Sequence, residues 1–181
     1  MNYLPVTTVR LRNKPYTLRL RPYEAGTDRP ILKSWLYEPQ VIKWWGHPDK
    51  TIPELSVPPN DGGELIIEVN DKPVGYIRWQ VPEDRELREA GLTDLPEDIV
   101  DIDIAIGDSD YIGWGVGTNA LQLLVNELRS EWPDRRLMIC TQSENLRARN
   151  SFEKAGFRYV RLFDDPEFGR MWLLLWEPEE A

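Results

Sequence analysis

From Asp101 to Leu121 the chain reads Asp-Ile-Asp-Ile-Ala-Ile, a short polar stretch, and then three glycines at alternate positions, Gly113, Gly115 and Gly117, that open an apolar-periodic segment. No other stretch restricts the fold as much. The alternating head reads as a strand, while Ala120, Leu121, Leu124, Leu128 and Trp132 recur at helical spacing, so a strand passes into a helix through glycines. Glycine lets backbone amides approach a ligand closely, and a helix start adds unpaired N–H groups and the positive end of the dipole. Such a place suits phosphate. The plain alternative is a glycine-bearing turn into an ordinary amphipathic helix. A Walker loop needs a Gly-Lys-Ser/Thr ending, which is missing. A dinucleotide site expects an acid after the following strand, and Arg136-Leu-Met-Ile-Cys-Thr141 offers none.

The remaining elements follow from periodicity. Thr7–Arg12 and Tyr16–Arg21 alternate apolar and basic residues around Asn13-Lys-Pro15, a β-hairpin or one bent strand. Asp28 is placed to cap a helix through Ile31, Leu32, Trp35 and Leu36, and Gln40 to Trp45 forms a second short helix ended by Gly46. Pro48, Pro53, Pro58 and Pro59 mark the run to Asn60 as a loop over the active-site side. Glu64–Val69 and Val74–Val81 form a hairpin, and Glu83 to Asp98 is polar and acidic, with room for a helical turn. Ile99 to Ile106 is the next strand, Val116 to about Trp132 a helix closed by Pro133, and Arg136 to Thr141 a short strand. Glu144 to Gly156 is a helix stopped by its glycine, and Phe157–Phe163 with Arg170–Trp176 makes a last hairpin. The expected fold is α/β, a mixed sheet of about seven strands with helices on both faces, in a single domain over 1–181.

Two segments together carry a family resemblance: the glycine loop with its preceding strand, and Asn145-Leu-Arg-Ala-Arg-Asn-Ser-Phe-Glu-Lys-Ala-Gly-Phe157. They resemble the acyl-CoA-binding core of the GNAT N-acetyltransferases. Within that family the strongest resemblance is to the aminoglycoside 6′-N-acetyltransferases, through Trp44-Trp-Gly46, Gly75-Tyr76, Ile102-Asp103, Asn145-Leu-Arg-Ala148 and Glu153-Lys-Ala-Gly-Phe157. Enzymes that acylate hydroxylamines or amines on siderophore precursors share the layout. The resemblance implies acetyl-CoA as acyl donor and no metal. It implies that the strand ending at Ile104, Ala105 and Ile106 splays from the next one, with pantetheine in the gap. The pyrophosphate then falls on the amides of Ile112, Gly113, Trp114, Gly115, Val116, Gly117 and Thr118. The family's loop usually opens with Gln or Arg, where this chain has Ile112, so a side-chain contact is lost and the amide kept.

Asp101 and Asp103 lie two apart on one strand and project from one face, beside Ala105, while Ile102, Ile104 and Ile106 face the other way. Paired carboxylates beside a thioester attract an ammonium group, and Asp103 matches the family's acidic position that contacts the reacting amine. It orients the ammonium and relays its proton, rather than acting as a strong base; the competing reading is a solvated strand face. Trp44 and Trp45 offer a flat wall for the acceptor or else anchor a short helix. Asn145, Ala148 and Phe152 share a helical stripe expected to face the cofactor. Many relatives have a tyrosine at Phe152 that protonates the departing thiolate, and phenylalanine cannot do so. Loop and packing roles are the simpler readings of His47 and Cys140, and the acids Asp164, Asp165 and Glu167 either rim the acceptor cleft or solvate a turn.

Composition agrees with this reading. The 181 residues carry 31 acids against 22 Lys and Arg, a net charge of −9, which disfavours nucleic acid or anionic membrane as partner and suits a cationic substrate. One cysteine and one histidine leave neither an internal disulfide nor a common zinc site. With no long apolar run and no secretion signal, the expectation is a cytoplasmic enzyme, monomer or homodimer. It would transfer acetyl to a primary amine by direct attack in a ternary complex. A siderophore-type amine or hydroxylamine is the rival acceptor, and a non-catalytic CoA-binding module the rival class.

Overall fold

The structure, a computed structural model, describes residues 6–177. Tight turns set the N-terminal half of the sheet. Strands β1 (Thr7–Leu11) and β2 (Lys14–Pro22) are joined by Arg12 and Asn13 at φ 48° and 64°. Asn70 and Asp71, at 49° and 62°, join β3 (Gly63–Val69) to β4 (Lys72–Gln80). Two successive left-handed residues give a turn whose twist matches that of paired strands. The opening segment is therefore a full hairpin and not a bent strand. With β5 (Ile99–Ile106), β6 (Arg136–Gln142), β7 (Arg158–Asp165) and β8 (Gly169–Trp176), the sheet has eight strands rather than about seven, in the order β1-β2-β3-β4-β5-β6-β8-β7.

Helices cover both faces. On one, α5 (Val116–Glu131) lays Val116, Ala120, Leu121, Leu124 and Leu128 on Leu65, Ile67, Ile77 and Ile102, and α6 (Leu146–Lys154) adds Phe152. Burying a side chain of this size is worth about 2 kcal/mol. On the other face, α1 (Ala25–Leu36) and α2 (Pro39–Trp45) pack Leu32, Trp35, Leu36 and Val41 on Ile66 and Tyr76. The short α4 (Asp84–Glu89) precedes β5, its start held by a bond from the Glu83 amide to Glu86 Oε2 at 2.8 Å.

Two local expectations are corrected. Residues 48–55, expected as a proline-rich loop, form helix α3 (Pro48–Leu55). Pro48 stands at its first position, where no N–H is needed and φ is already helical, so only Pro53 costs a hydrogen bond. Asp28 does not cap α1, because the helix starts three residues earlier, after Glu24. Asp28 is buried in the first turn, where it accepts from the two terminal guanidinium nitrogens of Arg21, each at 2.7 Å, and from the Glu24 amide at 2.8 Å. The Arg21 bonds hold its carboxyl below the usual carboxylate range.

One irregularity positions the site. β4 pairs with β5 from Gly75–Ile106 to Gln80–Asp101, but β5 and β6 run parallel for only three residue pairs, ending at Asp101–Met138. Beyond that point the two strands part. The backbone of residues 102–106 that faces β6 has no strand partner, in the middle of the sheet.

Candidate active site

Two adjoining cavities open where β5 and β6 separate. The first, of about 360 Å³, lies over the face that carries Asp101 and Asp103 and is walled by α2, α3, α4 and the β7–β8 turn. The second, of about 190 Å³, runs between β5 and the starts of α5 and α6. Trp44, Trp45, Ile104, Asn145, Ala148 and Phe152 border both, so the two form one passage through the sheet.

The second cavity has the character expected of a donor site. Ile104, Ala105 and Ile106 form its floor, with Ile112, Gly113, Gly115, Val116 and Gly117 at one end. Gly113 and Gly115 have φ of 79° and 89°, conformations that side chains resist, and Gly115 is the residue before the first turn of α5. The amides of Gly113, Gly115, Val116, Gly117 and Thr118 make no backbone hydrogen bond among the described residues, whereas those of Ile112 and Trp114 donate long bonds to Ser109 and Tyr111. A side chain at Gly117 would meet Ile104 and Ile106 at about 4 Å, across the width of the channel. No acid lines this cavity, and Arg147 is its one charged side chain. Free amides, a helix start and a narrow apolar channel fit a pyrophosphate with a thin chain attached.

Not every loop side chain faces this channel. Trp114 turns to the outside of the loop, packed between Tyr16 and Tyr111 with the Arg12 guanidinium 4.5 Å from its ring. Thr118 bonds Ser151 O at 3.4 Å, tying α5 to α6. Asn145 caps α6 by accepting the Ala148 amide at 3.2 Å and donates to Thr141 at 3.1 Å, so its polar atoms at the passage are already engaged. Phe152 is buried between the α5 core and the passage.

The first cavity is electrically opposite. Glu54, Glu86, Asp101, Asp103 and Asp165 line it, and no lysine, arginine or histidine does. Asp103 is open to the cavity mouth though ringed by protein. Desolvation raises its pKa, Arg78 opposes the rise and Glu54 adds to it. Desolvation, followed by the charge of Asp103, pushes Asp101 well above the carboxylate range. Burial also raises the Cys140 thiol well above its usual value, with Asp101 and Asp103 adding to the effect, so it stays protonated and is a poor nucleophile. Trp45 meets Tyr76 edge-on at 6.2 Å, and Thr51 of α3 donates to Trp45 O at 2.9 Å. Lys43 sits 4.5 Å from the Trp44 ring. Both tryptophans are thus fixed as partly open walls. His47 points to solvent and caps α3, accepting the Asp49 amide at 3.3 Å.

Sequence reasoning brought together Asp101, Asp103, the tryptophans and the glycine loop. Glu54 of α3, Glu86 of α4 and Arg147 of α6 also line the cavities, and no sequence pattern singles them out. Asp165 lines the first cavity and accepts the Glu167 and Phe168 amides of its own turn at 2.8 and 2.9 Å.

A family model described as an acetyltransferase (GNAT) domain matches residues 24–165. The chain belongs to the GNAT acetyltransferases. This GNAT enzyme is thereby an acetyl-CoA-dependent N-acetyltransferase by class. It is 24% identical over 170 residues to an aminoglycoside N(6′)-acetyltransferase type 1 of Klebsiella pneumoniae, covering 80% of this chain and 75% of that one. A relative of the same name from Serratia marcescens matches equally. Among solved structures, an aminoglycoside acetyltransferase in complex with coenzyme A superposes with a TM-score of 0.73 at 24% identity, over 88% of this chain and 94% of the other. An aminoglycoside N(6′)-acetyltransferase from Legionella pneumophila does so with a TM-score of 0.66 at 21% identity, over 88% and 91%. These likenesses establish the GNAT fold for this sheet and its helices. Among the described residues, no helix is long and apolar enough to cross a membrane.

Proposed function

We propose that this enzyme acetylates a primary amine of a polycationic small molecule, with the 6′-amine of an aminoglycoside as the leading acceptor. The observation that carries the reading is the acid-lined cavity, with five carboxylates and no basic side chain, opening onto the parting of β5 and β6. A substrate with several ammonium groups gains there at each one. The donor is held with its pyrophosphate on the amides of Gly113 and Gly115–Thr118 and its pantetheine along Ile104–Ile106. Trp44 and Trp45 flank the acceptor, and Asp101 and Asp103 form its floor.

Asp103 draws the ammonium to the end of the passage and takes up its proton, directly or through water. The freed amine attacks the thioester carbon, the new N–C bond forms as the C–S bond breaks, and the CoA sulfur leaves with the electron pair. The nitrogen sheds its second proton as the amide forms, and because Phe152 supplies none, that proton reaches the thiolate through water of the open first cavity. With Cys140 held protonated, direct transfer is favoured over an acyl-enzyme.

The test is CoA release from acetyl-CoA across a panel: aminoglycosides with and without a free 6′-amine, linear polyamines, and simple amines and hydroxylamines of siderophore type. Turnover confined to polycationic amines supports the reading. Preference for a monoamine or hydroxylamine would replace the acceptor, and CoA binding without turnover on any member would leave a binding module.

A further inference from the structure

Beneath the first cavity lies a charge that neither cavity touches. In the register of the sheet, Glu64 of β3 pairs with Arg78 of β4, and Arg78 pairs with Asp103 of β5. Facing partners project from the same side, so a carboxylate, a guanidinium and a carboxylate form one row. Arg78 is only 6% exposed. Its Nη2 donates to Val57 O at 3.1 Å and to Gln80 Oε1 at 3.3 Å, while Nη1 is buried with no partner. No acid among the described residues makes an ion pair with it, and Glu64 instead accepts the Tyr76 hydroxyl. Burying a guanidinium without a contact counter-ion is unfavourable for folding, so the arrangement calls for another reason.

We propose that Arg78 is a positioning residue of the acceptor site, supplying the fixed positive charge that holds the Asp103 carboxylate ready for an incoming ammonium. The role rests on the acceptor reading above. Asp103 is faced by Tyr76 and Arg78 from β4, Asp101 from its own strand, Glu54 from α3, Cys140 from β6 and Asp165 from the β7–β8 turn, with Glu86 of α4 acting on Asp101. Arg78 is the cation that acts on Asp101 and Asp103, while Arg161 of β7 acts on Cys140. Two acids on one enclosed floor resist being charged together, and a cation under them offsets this. Standing off matters as much as being near. A contact salt bridge would occupy the Asp103 oxygens, whereas a charge held further away by Val57 and Gln80 favours ionisation and leaves both oxygens for the substrate.

The test is the pH dependence of kcat/KM with the best amine of the panel. For Arg78→Gln the acid limb should move up by about one to two pH units, as expected for loss of a unit charge at about 7 Å in a medium of effective dielectric near 20. Arg78→Lys should keep the limb within about half a unit, and Glu54→Gln should move it down. The Asp101 and Asp103 carboxyl carbons, followed by carbon-13 NMR without any amine, should shift in the same directions. A limb and NMR titration in Arg78→Gln that match the wild type, in protein that still binds CoA, would overturn the proposal. Should Arg78→Gln not fold, Arg78→Lys carries the test instead: an acid limb displaced by a full unit or more although the positive charge is retained would overturn it as well. An NMR shift as expected, with no amine acetylated by the wild type, would instead remove the acceptor reading on which the role stands.

Discussion

Replacing Asp103 by asparagine keeps its shape and removes its charge, and the size of the effect can be worked from the arrangement. An ammonium about 4 Å from a carboxylate gains about 4 kcal/mol at an effective dielectric of 20. Part of that survives the change. Asp101, two residues along the same strand face and about 7 Å away at the usual rise, is held protonated beside a charged Asp103, and it supplies about 2 kcal/mol that the wild type lacks if it becomes charged in the variant. It also ionises more readily once its neighbour is neutral, because the charge of Asp103 is one of the causes that raise it. The net loss in Asp103→Asn is therefore about 2 kcal/mol, or about thirtyfold in kcat/KM for a polycationic amine. CoA affinity should stay within about twofold by calorimetry if the donor lies, as proposed, on the far side of the passage. The loss should grow with the number of charges on the acceptor if long-range attraction matters, and be constant if only the reacting amine is held. Equal kcat/KM for variant and wild type across the panel would refute the reasoning and leave Asp103 as a solvated strand residue.

Three further outcomes are expected. Gly115→Asp should weaken CoA binding at least tenfold more than Gly115→Ala, since both strain a residue at φ 89° and only the aspartate faces the pyrophosphate with a charge; equal affinities by calorimetry would refute the loop assignment. Phe152→Tyr should leave turnover within about twofold, because water reaches a cavity as open as this one, and a tenfold gain would show that thiolate protonation is slow. Asp101→Asn should raise the melting temperature more at pH 8 than at pH 5. The folded-state pKa of Asp101 lies above its unfolded value, so the native protein holds the extra proton and loses that contribution as pH rises through the folded pKa; a variant that gains nothing at pH 8 would contradict the desolvation of this acid.

The glycine loop and the strand pattern were legible because each is a local rule: φ at Gly113 and Gly115 demands glycine, and strand alternation sorts Asp101 and Asp103 from Ile102 and Ile104. Failures came where a rule was local and its context was not. Prolines at 48, 53, 58 and 59 read as one loop, although Pro48 begins a helix and only Pro58 and Pro59 fall beyond it. Asp28 suited a cap by type, but a bidentate arginine from β2 had the stronger claim on it. Glu54 and Glu86 are ordinary surface acids in sequence and become site residues only when α3 and α4 fold over β5. Arg78 left a usable sign, a charged residue in the middle of a strand whose neighbours are all buried. Reading it needed the register that sets it against Asp103. The short pairing of β5 with β6 left no sign in the residue pattern of either strand, and only the family resemblance implied that they part.

The placing of β8 has a consequence for how the protein is made. β6 shares six register pairs with β8 and three with β5, so the strand bearing Cys140 is held chiefly by a segment synthesised some thirty residues later. Strands β1 with β2 and β3 with β4 each close as a hairpin of adjacent segments, although α5, made later, covers their apolar face. On the ribosome these hairpins can assemble as they emerge, while β6 waits with one edge bare until residues 169–176 have left the exit tunnel. A chain interrupted after β7 would not be a slower enzyme. It would carry a finished hairpin layer beside an unpaired apolar strand, the kind of edge that recruits other chains. Premature stops and frameshifts in that final stretch should thus yield aggregates and degradation products rather than partly active protein.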